Sequence, residues 1–182
     1  MWLFLGSDCL FFGAFIATYL IHFGKSLTGP YPHEILDIPV TTISTFVLLM
    51  SSFMFVLSLS AHTRGDYRAF RAWVLCTVLL GCTFLGFQVF EFQEFAHKGL
   101  TPRTNLFGTT FLTLTGFHGA HVTIGVVWLM SLFFLSLRGK LGADKNLSVD
   151  IAGLYWHFVD VVWIVIFTVV YLSGVAAGAG GG

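Results

Sequence analysis

The stretch Tyr155-Trp156-His157-Phe158-Val159-Asp160-Val161-Val162-Trp163 decides how this chain is read. It opens an apolar run over residues 151–172, long enough as a helix to cross the ~30 Å hydrocarbon core of a bilayer. On a helix, His157 and Asp160 are three apart and share a face, with about 5–6 Å between their Cβ atoms. Trp156 and Trp163, seven apart, share a neighbouring face. An acid inside such a span costs about 2.5–3.5 kcal/mol on insertion scales. Asp160 is therefore expected to face protein, with His157 as its nearest partner.

The composition around that stretch agrees. Of 182 residues, 56% are hydrophobic and 10% charged, against about 25% charged in ordinary soluble domains. That excludes a soluble enzyme. Nine Lys and Arg balance nine Asp and Glu, so net charge points neither to nucleic acid nor to an acidic partner. Four further apolar runs lie at 1–22, 40–61, 72–95 and 106–137. The expected fold is all-α: one polytopic membrane bundle of five transmembrane helices over residues 1–173, with 174–182 a flexible Gly/Ala tail. The first run lacks a basic leader and is expected to be retained.

Orientation follows from the basic residues. Arg64, Arg68 and Arg71 fall in the 62–71 loop, and Arg138, Lys140 and Lys145 in the 138–150 loop. The alternate loops hold Lys25, Lys98 and Arg103. The excess predicts a cytoplasmic N-terminus and an external C-terminus. Five spans without an internal repeat do not divide into inverted halves, which weakens a transporter reading. Cys9, Cys76 and Cys82 show no repeated CxxC spacing, so neither a disulfide framework nor a zinc knuckle is indicated. They are expected to be buried, inert thiols.

The other runs also carry polar residues. In the first, Asp8, Phe12, Phe15, Tyr19 and His22 fall on one helical stripe. Asp8 is either wetted near the interface or buried against a partner. In the third, Gln88, Glu91 and Glu94 form a polar stripe, with Glu91 the harder to expose. In the fourth, Thr115, His118 and His121 share a stripe, beside small residues that let another helix approach closely. Paired Glu-x-x-Glu, His-x-x-His and His-x-x-Asp could build a carboxylate–histidine metal site. Di-iron bundles, however, draw on Glu-x-x-His motifs from two different helices, and this chain has only one, Glu94-x-x-His97. Mutual hydrogen bonding between carboxylates and imidazoles is the preferred reading.

The stretch 155–163 and Gly116-Phe-His-Gly-Ala-His-Val122 resemble two signature segments of subunit III of haem–copper terminal oxidases. Ser7-Asp8-Cys9-Leu10-Phe11-Phe12 is similar to the family's early acidic motif, with Asp in place of the usual Glu, and Gln88-x-x-Glu91 matches a third. The resemblance covers about residues 5–172 and fits the five-span form of the family.

It implies a redox-silent subunit of a respiratory oxidase in the bacterial plasma membrane. Haems and copper would sit in partner subunits, with none on this chain and a bound phospholipid as the one ligand to consider. The implied partners are catalytic subunit I, subunit II, small subunits and membrane lipids. Cytochrome c is preferred over quinol as donor to the complex. Asp8 would support proton uptake, while Gln88, Glu91, Glu94, Thr115, His118, His121, Trp156, His157, Asp160 and Trp163 would form a buried polar and packing network. The rivals are subunit III of a quinol oxidase, a stand-alone membrane metalloenzyme, and a proton-coupled carrier using Asp8 and Glu91.

Overall fold

A computed structural model describes residues 1–22, 38–97, 106–139, 141 and 146–172. Five helices account for nearly all of them: α1 (Trp2–His22), α2 (Ile38–Thr63), α3 (Tyr67–His97), α4 (Leu106–Leu137) and α5 (Asn146–Ile166). The last continues as π-helical turns over Phe167–Leu172. All five are long and apolar enough to cross a membrane, and no strand occurs among the described residues. The tail 174–182, together with Lys25, Lys98, Arg103, Lys140 and Lys145, lies outside them.

α2, α3, α4 and α5 close a four-helix ring, and α1 lies against α4 and the edge of α5. Facing pairs run antiparallel. Phe84 meets His118 and Phe95 meets Phe111 across α3 and α4, while Trp156 and Trp163 of α5 reach Ser51 and Thr45 of α2. Half of the most apolar window of α5 is buried against 17% of that of α1, which makes α5 the central helix. Small residues permit this. A Cβ at Gly81 or Gly125 would come within 2.8 or 2.9 Å of the Trp156 indole, so the indole occupies the space those glycines leave.

α2, α3 and α5 run further than their apolar segments, and polar residues cap the turn that joins the first two. Between α2 and α3, Gly65 adopts φ 75° and lets the chain reverse, while Asp66 Oδ1 accepts the backbone N–H groups of Arg68 (3.2 Å) and Ala69 (3.1 Å). Arg71 then ties the start of α3 to the end of α4, donating to Ser136 Oγ at 3.0 Å and to the Ser136 carbonyl at 2.7 Å. The cysteines correct the sequence reading: Cys9, Cys76 and Cys82 are all exposed. In a bilayer the outward face is itself apolar, so a small hydrophobic thiol has no reason to turn inward.

A buried polar file between the helices

Asp8 and His121 form the one ion-pair contact among the described residues, with His121 Nε2 3.6 Å from Asp8 Oδ2. Antiparallel packing of α1 on α4 creates it, through Phe11 and Phe15 against Phe117 and Phe12 against His121. Both side chains are mostly shielded, at 13% and 17% exposure. His121 Nδ1 lies 2.7 Å from the Phe117 carbonyl, which can only accept, so Nδ1 carries a proton. Nε2 is then the nitrogen that faces Asp8. If neither group held a further proton, a lone pair would confront a carboxylate. The pair is therefore satisfied when it shares one proton, as imidazolium with carboxylate or as imidazole with carboxylic acid. At 3.6 Å the atoms stand beyond direct hydrogen bonding, a gap that a small rotation or one water closes. Tyr155 secures the site from α5 by donating its hydroxyl to the His121 carbonyl at 3.0 Å.

One turn along α4, His118 is fully buried. It stacks on Trp163 at 4.8 Å and 27°, with Phe84 and Phe12 edge-on. Another turn on, Gln88 Nε2 donates to the Thr115 carbonyl at 2.8 Å, and its amide packs where a Cβ at Gly119 would sit. Glu91, buried, accepts a hydrogen bond from Thr41 Oγ1 of α2. Glu94 is half-buried near the end of α3. The two tryptophans anchor α5 on α2, Trp156 donating to Ser51 Oγ at 3.1 Å and Trp163 to Thr45 Oγ1 at 2.9 Å.

His157 and Asp160 do not pair, contrary to the expectation from their spacing. His157 points its ring edge-on to Phe55 and lines an apolar groove of about 390 Å³ with Leu5, Gly6, Cys9 and Phe158. Asp160 is buried beside Ser52 of α2, and its Oδ1 has no hydrogen-bond partner. Three residues on a helix separate directions by about 60°, enough here to place His157 in the groove between α1 and Phe55 of α2 while Asp160 turns to Ser52. The carboxylate–histidine metal cluster is not assembled either, since among the described residues no three His, Cys, Asp or Glu side chains gather.

The sequence reading passed over α2 altogether. Of its buried hydroxyls, Thr41 donates to Glu91 of α3 and Thr45 and Ser51 accept from the two tryptophans of α5, while Ser44 and Ser58 donate to carbonyls of α2 itself and Ser52 stands beside Asp160. Their three- and four-residue spacing was the available signal.

The family model described as cytochrome c oxidase subunit III matches residues 1–175. The cytochrome c oxidase subunit 3 of Bacillus sp. (strain PS3) is 40% identical over 95% of this chain and 84% of its own length. The quinol oxidase subunit 3 of Bacillus subtilis (strain 168) is 36% identical, over 95% of this chain and 85% of its own length. The cytochrome bo(3) ubiquinol oxidase subunit 3 of Pseudomonas aeruginosa is 38% identical, over 95% and 83%.

Proposed function

The chain belongs to the cytochrome c oxidase subunit III family, and we propose that within its haem–copper oxidase complex it is a redox-silent helper. Its Asp8–His121 pair would support proton uptake by the catalytic subunit. The observation that carries this reading is the 3.6 Å approach of His121 Nε2 to Asp8 Oδ2, shielded but not sealed, about two turns into α1. Such a pair holds a proton inside the membrane and releases it with little rearrangement. The basic residues Arg64, Arg68, Arg71 and Arg138 favour placing the end where α1 begins in the cytoplasm, where protons are drawn.

The partners are subunit I, with its haems and copper, and subunit II, in a bacterial plasma membrane. The donor is cytochrome c in preference to quinol. A partner carrying a two-copper cupredoxin domain would establish cytochrome c, and one without it would establish quinol.

The test is depletion. Removing this chain from the purified oxidase should leave haem spectra intact and oxygen reduction running, while total turnovers before inactivation fall. The separated chain should hold no stoichiometric iron, copper or zinc. Loss of a haem band on depletion, or one metal per separated chain that disappears in His118→Ala or His121→Ala, would overturn the helper reading.

A further inference from the structure

Ionisable and amide groups occupy successive turns through the bundle interior. They run from Asp8–His121 to His118, then to Gln88 on the Thr115 carbonyl, then to Glu91 with Thr41. At 1.5 Å per residue the file from His121 to Glu91 covers about 13 Å, and Asp8 and Glu91 each lie about 9 Å from the nearer end of their helices. Together these lengths match a hydrocarbon core of ~30 Å. Both ring nitrogens of His118, Gln88 Oε1 and Asp8 Oδ2 are buried without a hydrogen-bond partner. Buried polar atoms of that kind recruit water. In a membrane that must hold a proton gradient, a hydrated file of imidazoles and carboxyls is a hazard.

One apolar side chain interrupts it. Phe12 is 3% exposed and contacts both imidazoles, its ring centroid 5.1 Å from that of His121 and 6.5 Å from that of His118. Phe84 packs edge-on against the same imidazole and Trp163 stacks on its face. We propose that Phe12 is a proton seal, an apolar plug that separates the proton-holding Asp8–His121 pair from the His118–Gln88–Glu91 segment and keeps this subunit from short-circuiting the membrane. Without the ring, a water could join the two imidazoles, and a proton could pass from His121 to His118 and onward through bound water to Glu91. The inference rests on the chain's place in an oxidase that charges a membrane, and not on any role of Asp8 in uptake.

The experiment uses the assembled oxidase in sealed vesicles holding a pH-sensitive dye, with valinomycin and potassium to collapse the membrane potential. An external acid pulse is followed without turnover. With Phe12→Ala, internal acidification should be several-fold faster than in the wild type, and respiratory control should fall. Haem spectra and uncoupled oxygen consumption should be unchanged. Phe12→Leu, which keeps an apolar plug, should stay tight, and adding His118→Phe to Phe12→Ala should restore tightness. Should Phe12→Ala fail to remain in the complex, Phe12→Val is read in its place. Wild-type tightness in the truncated variant, or a leak that His118→Phe does not reverse, would overturn the proposal. Because the acid pulse is followed without turnover, neither leak result bears on Asp8 and proton uptake.

Discussion

Trp156 rests in the place of the side chain that Gly125 lacks: a Cβ there would lie 2.9 Å from the indole Cε3 and Cζ3 atoms. The contact lets α4 and α5 approach closely while the same indole bonds Ser51 of α2. Gly125→Ala should therefore overpack the centre of the bundle and cost about 1–3 kcal/mol. Gly13→Ala, where a Cβ meets nothing within 4 Å, should leave the isolated subunit as stable or stabilise it by up to about 1 kcal/mol through helix propensity. Thermal unfolding in detergent compares them, and equal midpoints would refute the packing account.

Gln88 is placed as a donor. Its Nε2 reaches the Thr115 carbonyl while its Oε1 abuts Gly119. Gln88→Leu should lose about 1 kcal/mol with that bond. Gln88→Glu should be worse wherever it ionises, because a carboxylate sets an acceptor against the carbonyl and brings a charge into the bundle, whereas the protonated acid can still donate. A wild-type midpoint for Gln88→Leu in thermal unfolding would mean that the donor role is wrong.

His157 and Asp160 should behave independently. A double-mutant cycle with His157→Leu and Asp160→Leu should give a coupling below about 0.5 kcal/mol, as for residues without shared partners. A coupling well above that, measured by thermal or denaturant unfolding in detergent, would mean the two side chains do meet.

This pair marks the boundary of what could be read from sequence. Run length and composition were enough to expect five helices, and the motifs at 116–122 and 155–163 were enough to find the family. Helical spacing placed His118 and His121 on one side of α4, yet they meet different neighbours, Trp163 and Asp8, because the curvature of that side spans two interfaces. Spacing within one helix states which residues share a face, but which helix covers that face is decided by packing. The hydroxyls of α2 escaped notice for the same reason, since Thr45 and Ser51 become meaningful only once two tryptophans arrive from another helix. The cysteines were misread because a rule learned from water-soluble cores assumes a polar exterior.

Topology is directly accessible to labelling. In a background with Cys9, Cys76 and Cys82 replaced by alanine, a cysteine at Arg64 in the exposed α2–α3 turn should react with an impermeant maleimide only from the cytoplasmic side. Reaction only from the outside would invert the orientation and with it the placement of Asp8.

The central claim is that the Asp8–His121 pair assists proton supply without taking part in electron transfer. Asp8→Asn keeps the size of the side chain but removes the carboxylate that faces His121 Nε2 at 3.6 Å. The measurement is oxygen consumption by the purified complex as a function of pH, together with total turnovers before inactivation. The account predicts unchanged haem spectra, near-normal activity at neutral pH, a steeper decline at alkaline pH where protons are scarce, and earlier inactivation. Superimposable curves in both assays would contradict it.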